Sequence, residues 1–118
     1  MTVTDKRTIG NRGEQLAAEY LVSKGFEVVA RNYRHKHAEI DLIVQRDNWL
    51  IFVEVKTRSS ADFGEPEDFV DAKKVNKMFE AADEYIYSTN WLGHVRLDIV
   101  SVKLGAQVQI EHFEDAIN

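Results

Sequence analysis

The sequence predicts an α/β layered domain built around a mixed sheet, and three observations carry that prediction. Two strongly apolar stretches, residues 39–46 and 49–57, flank Asp47-Asn48, which is turn chemistry between two strands. Val75, Met78, Phe79, Ala82, Tyr85 and Ile86 recur at i, i+3, i+4, i+7, i+10 and i+11, the stripe of an amphipathic helix over about 70–88. The order along the chain is helix, three strands, helix, two strands, which sets helices against the faces of one sheet.

Each element has its own local reason. Residues 1–9 are polar and are expected to form a mobile tail, with residues 10–118 forming a single domain. Asn11 is N-cap chemistry, and Glu14 three residues later completes a capping-box-like start to a helix that runs to about Lys24, where Gly25 stops it. Phe26 to Tyr33 reads as the first strand, followed by the hairpin. Thr57 to Asp68 is polar and contains Gly64 and the only proline, Pro66, so it reads as a loop leading into the second helix. Two further strands are expected at about 95–103 and 107–113.

Composition bounds the function. With 118 residues, 44% hydrophobic and 30% charged, the chain has the content of one soluble domain with a real core. It contains no cysteine, which excludes disulfides and thiolate metal sites and favours a hard, oxygen-ligated cation, Mg²⁺ or Mn²⁺, over structural zinc. No apolar run is long enough to span a membrane, and the N-terminus lacks a signal-peptide core, so a cytoplasmic protein with no membrane association is expected. The net charge of -5 argues against a strong sequence-independent grip on plain duplex nucleic acid.

The hairpin brings acids together. A two-residue loop pairs position 46 with 49, and carried back along the strands this sets Asp41 opposite Glu54. Asp41, Glu54 and Lys56 then share one face, with opposed Cβ atoms roughly 4.5–5.5 Å apart. A four-residue loop keeps this register, whereas a three-residue loop would slip it by one and separate the acids. Taken alone, Val53-Glu54-Val55-Lys56 is ordinary alternation with a polar outward face. Leu50 and Phe52, however, share the face of Glu54 and Lys56, while Ile51, Val53 and Val55 fill the other. Charges in a strand apolar on both sides are costly unless paired or metal-bound. Two opposed carboxylates, a cation between them and an adjacent lysine suggest metal-assisted hydrolysis. Glu14 heads the helix stripe of Ala17, Ala18 and Leu21 and can look toward the sheet, unless it only caps its own helix. Glu39 lies opposite Lys56 and is expected to hold it by an ion pair.

The basic residues are candidate phosphate contacts. Arg31, Arg34 and Lys36 form an approach to the hairpin, Arg58 follows Lys56 closely, and Lys73, Lys74 and Lys77 cluster early in the second helix. For the helix lysines a solvated face is an equally ordinary reading. His35 and His37 read as surface residues rather than metal ligands, and Trp49, Tyr85, Tyr87 and Trp91 as core or boundary packing rather than base-stacking platforms.

Gly13-Glu14, Arg31-Asn32-Tyr33-Arg34, Ala38-Glu39-Ile40-Asp41-Leu42-Ile43, Phe52-Val53-Glu54-Val55-Lys56-Thr57-Arg58, Phe63-Gly64-Glu65-Pro66 and Arg96-Leu97-Asp98 follow in the order of the bacterial YraN family. The resemblance covers about residues 10–104. That family resembles a branch of the PD-(D/E)XK, restriction-endonuclease-like nucleases and is similar to archaeal Holliday junction resolvases. The resemblance implies a three-layer α/β/α domain with a central mixed sheet, in which Glu14, Asp41, Glu54 and Lys56 surround one or two Mg²⁺ ions, with Mn²⁺ as a substitute. At such a site the ligands would be Asp41, Glu54, the backbone carbonyl of Val55 and, in an outer shell or at a second ion, Glu14. Ala38 departs from the glycine usual before this Glu-Ile-Asp, which bears on the turn entering the strand and not on the acids. The expected function is a metal-dependent endonuclease acting on branched or distorted DNA, as a monomer or weak homodimer. The alternative is a non-catalytic adaptor that keeps the fold and binds nucleic acid or protein; the presence of all four site residues favours the enzyme.

Overall fold

The computed structural model describes residues 6–59 and 72–117. The elements follow in the expected order: α1 (Lys6–Ser23), β1 (Glu27–His35), β2 (Ala38–Arg46), β3 (Trp49–Arg58), α2 (Ala72–Thr89), β4 (His94–Lys103) and β5 (Gln109–Phe113). They form one five-stranded sheet in the order β1-β2-β3-β4-β5. Only the β3–β4 pair is parallel, and α2 is the crossover that parallel pairing requires. The sheet is therefore mixed, as expected. The loop expected over Thr57–Asp68, the Phe63-Gly64-Glu65-Pro66 segment and the first residues of the second helix lie outside the described residues beyond Ser59.

The helices cover opposite faces. Ala17, Ala18 and Leu21 of α1 pack on Leu42, Val44, Ile51, Val53 and Val55, whereas Met78, Ala81 and Ala82 of α2 pack on Ile43, Leu50 and Phe52. Strand β3 is thus buried on both sides, which makes a charge on it expensive. The expected α2 stripe is realised: Met78 and Ala82 are buried, and Val75, Phe79, Tyr85 and Ile86 pack against the same core. Tyr87 departs from the expected packing and is 84% exposed, because it follows Ile86 by one residue and so points about 100° away from the stripe.

Helix α1 begins before the expected N-cap. Lys6–Ile9, assigned to the tail, are helical, and Asn11 and Glu14 lie inside the helix, so Glu14 does not cap it. The stop is as expected: Gly25 has φ 94°, the Phe26 N–H donates to the Leu21 carbonyl at 3.0 Å, and the Gly25 N–H donates to that of Val22 at 3.0 Å. This is a Schellman ending, with Leu21 and Phe26 in apolar contact beneath it.

Two features set the site's geometry. The hairpin pairs Arg46 with Trp49 and continues in register to Leu42 with Val53, with Asp47 in the left-handed region at φ 54°. Gly13 lies where a Cβ would meet the Thr57 side chain, 2.6 Å from its Cγ2, so only glycine lets α1 approach the end of β3 this closely. That approach brings Glu14 to the end of the strand carrying Glu54.

Candidate metal and phosphate site

Continuing the observed register by one step sets Asp41 opposite Glu54. At this point the ladder gives way: the Val55 N–H, which faces β2, donates at 2.8 Å to Asp41 Oδ2 instead of to a backbone carbonyl. The Val55 carbonyl lies on the same edge of β3, because a residue in a strand presents both backbone groups to one neighbour. A cavity of about 390 Å³ opens here. Glu39, Asp41 and Glu54 of the sheet form its acidic side and Lys73, Lys74 and Lys77 of α2 its basic side, with His37 before β2 also on its lining.

Glu54 is only 1% exposed. Its Oε2 accepts from the Lys74 ammonium and lies 3.4 Å from the Lys56 ammonium, while its Oε1 is buried without a hydrogen-bond partner among the described residues. Burial, and next the Glu54 charge, push the Asp41 carboxyl up to about 8, against the opposing pull of the Val55 N–H. Burial tends to lower the Lys74 ammonium, but the hydrogen bond to Glu54 and its charge outweigh this and raise it. Glu14 is raised by burial and by the charge of Glu39, with a hydrogen bond to the Asn32 side chain opposing.

The structure brings Asp41, Glu54 and Lys56 together. Glu14 stands at the margin, and among the described residues no three histidine or carboxylate groups converge as a metal-holding set. Glu39 does not hold Lys56. It pairs with Arg34, its registered neighbour on β1, at 3.0 Å, while Lys56 turns to Glu54. The basic approach is also dispersed: Arg31 donates to Gln15 at 3.0 Å, Lys36 is exposed in the β1–β2 turn at φ 57°, and Arg58 is half-buried at the end of β3. Only the α2 lysines line the cleft. The contact of Lys74 with Glu54 was not foreseen; the one sequence signal for it is a lysine placed one position before the helix's apolar stripe begins at Val75.

Asp98 carries the same sequence signal as Asp41, an acid within an apolar strand, but the structure resolves it differently. It is 0% exposed and receives Arg96 at 2.8 and 2.9 Å, His112 at 2.7 Å and the Asp115 N–H at 2.9 Å. Burial would raise its carboxyl; the bonds from His112, Arg96 and Asp115 outweigh this and hold it below the usual aspartate range. Asp98 is fully partnered and structural. Glu54 Oε1 is not partnered.

Residues 13–102 match the Uncharacterised protein family UPF0102. This chain is a member of the UPF0102 (YraN) family. Family relatives include a UPF0102 protein of Flavobacterium psychrophilum, 43% identical over 97% of both chains, and one of Caldanaerobacter subterraneus subsp. tengcongensis, 42% identical over 91% of this chain and 88% of that one. A third, from Rhodococcus jostii, is 41% identical over 92% of this chain and 94% of its own. Among solved structures, that of Pyrococcus furiosus SfsA in complex with Ca²⁺ superimposes with a TM-score of 0.44 at 15% identity, covering 95% of this chain and 64% of that one. Among the described residues no helix is long and apolar enough to cross a membrane.

Proposed function

We propose that this family member is a metal-dependent endonuclease of the restriction-endonuclease-like, PD-(D/E)XK type, hydrolysing phosphodiester bonds in branched or distorted DNA. The observation that carries the reading is the Asp41–Glu54 pair: two opposed acids in an apolar strand pair, beside Lys56, with a buried Glu54 Oε1 that has no hydrogen-bond partner among the described residues.

The donors fit a hard divalent cation. Asp41, Glu54 and the Val55 carbonyl offer only oxygen, and Mg²⁺ ordinarily takes one or two carboxylates and keeps water in its remaining positions. When bound, the cation supplies Lewis-acid polarisation of the phosphate and acidity to its water. Asp41 and Glu54 would hold it, and Glu14 would serve its outer shell or a second ion. Lys56 is placed to stabilise the negative charge that develops on the phosphoryl oxygens. Lys73 and Lys77, on the opposite side of the cleft, are placed for neighbouring phosphates of a polymer. An open cleft with a short basic strip on a chain of net charge -5 suits a distorted backbone brought close at few points better than a long duplex track.

The test is a panel of linear, flapped and four-way DNAs and structured RNAs incubated with Mg²⁺ or Mn²⁺. Cleavage of a branched DNA, lost in Asp41→Asn and Glu54→Gln, is the expected result. Binding without cleavage of any substrate would return the adaptor reading.

A further inference from the structure

The two lysines on Glu54 are held differently. Lys56 projects from β3, the strand of Glu54 itself, and its side chain is 19% exposed. Lys74 reaches in from α2 across the cleft and is 42% exposed, with a flexible stem that can move without repacking the helix, whose buried anchors are Met78, Ala81 and Ala82. A carboxylate as buried as Glu54 needs a positive charge beside it. Lys74 supplies that charge in the protein without added metal. A divalent cation held by Asp41 and Glu54 would take over the same electrostatic role, so the ammonium and the cation compete for one carboxylate. Lys73 and Lys77 line the same cleft, which offers a displaced ammonium a place beside phosphate.

We propose that Lys74 is an exchangeable counter-ion: it holds Glu54 before metal binds, yields it to a divalent cation, and then moves to the phosphate drawn into the cleft. This rests on the reading of the cleft as a metal-dependent phosphodiester site. It gives the site a built-in order, because the lysine becomes available to substrate only once the cation is in place. It also separates the two lysines, Lys56 serving the reaction from a fixed place and Lys74 exchanging partners.

The experiment is calorimetric titration of Mn²⁺ into chelator-stripped wild type, Lys74→Met, Lys74→Gln and Lys73→Met, each checked for folding by circular dichroism. Lys73→Met removes a charge from the same wall and sets the size of the general electrostatic effect. Both Lys74 variants are expected to bind Mn²⁺ about tenfold more tightly than wild type, and Lys73→Met to change by less than about threefold. Mn²⁺ binding to the Lys74 variants but not to wild type would support the exchange in its strongest form. If wild type binds Mn²⁺ and the Lys74 variants bind no more tightly, the exchange is refuted while the metal-site reading stands; if none binds, both fall. The second half is read from four-way DNA junction affinity in a Lys56→Met background. Adding Lys74→Met should weaken binding about tenfold with Mn²⁺ and less than about threefold with chelator. Equal losses in the two conditions would make Lys74 a plain phosphate contact and overturn the proposal.

Discussion

Asp41→Asn is expected to stabilise the protein stripped of metal, and the size of the effect follows from the buried pair. The Asp41 carboxyl moves from an ordinary value of 3.8 to about 8 in the folded chain. A group whose folded value is raised contributes stability that is fully present below its unfolded value and is lost as pH rises through the folded one. The folded protein therefore loses stability across the window from about pH 4 to pH 8, at up to about 1.4 kcal/mol per pH unit. At pH 7 the accumulated loss has a ceiling of about 4 kcal/mol, and local relaxation should bring the measured difference to about 1–4 kcal/mol. Asparagine removes the titration but keeps an oxygen to accept the Val55 N–H. The assay is urea unfolding of both proteins in chelator from pH 5 to pH 9. Wild type should lose stability from pH 5 to about pH 8 and level off above it while the variant stays nearly level, so the gap is smallest at pH 5 and the two curves meet only below about pH 4. Saturating Mn²⁺ should reverse the order at pH 7, since a hundredfold excess over Kd stabilises the folded wild type by about 2.7 kcal/mol and the variant has lost a ligand. A chelator-treated variant less stable than wild type by more than about 1 kcal/mol, with neither protein responding to metal, would rule out a repulsive, metal-holding acid pair. Asp41 would then be a structural acceptor for the Val55 N–H.

Other outcomes follow from the same geometry. Glu54→Gln should abolish metal-dependent cleavage of the best substrate, while Glu14→Gln, at the margin, should reduce kcat by only about tenfold; steady-state kinetics of both variants would show it. Junction affinity should fall with salt much less steeply than the loss of about 10³–10⁵ between 50 and 200 mM typical of proteins making 6–10 phosphate contacts, as fluorescence anisotropy across that range would show. Asp98→Ala should destabilise the fold by about 3 kcal/mol, because Arg96, His112 and the Asp115 N–H lose the buried acid they share and Arg96 keeps only the exposed Glu114 at 3.7 Å. Since the Asp98 carboxyl is held below 3.8 in the folded chain, its contribution is present above that pH and is lost as pH falls through the lower folded value, so acid unfolding monitored by circular dichroism should lose this limb in the variant.

The parts of the fold legible in the sequence were those decided by local periodicity. Asp47-Asn48 between two apolar runs pointed to the pairing of Arg46 with Trp49, and the observed ladder, which excludes the slipped register of a three-residue loop, leads on to Asp41 opposite Glu54. Gly25 ended α1 by backbone geometry that no other residue type adopts as readily. The start of α1 was not legible, because a cap at Asn11 is worth only about 1 kcal/mol and the helix runs through it. The role of Lys74 was hidden for a different reason. Its position against Glu54 depends on how α2 docks on the sheet, and two consecutive lysines, Lys73 and Lys74, look alike until that packing is known. Asp98 shows the converse limit: an acid in an apolar strand marks a costly charge, but only its neighbours show whether the cost is met by hydrogen bonds or left for a ligand. Glu39 was expected to pair with Lys56 across the hairpin, but β1 sets Arg34 beside it on its other side, and the ion pair forms there.

The most direct test of the central claim is the single-turnover cleavage rate of a four-way DNA junction in Mg²⁺, compared between wild type and Lys56→Ala. Wild type should cleave in a metal-dependent manner and the variant at a rate at least about 10² lower, the scale of removing one group that stabilises charge in the transition state. Equal rates for the two proteins would contradict it.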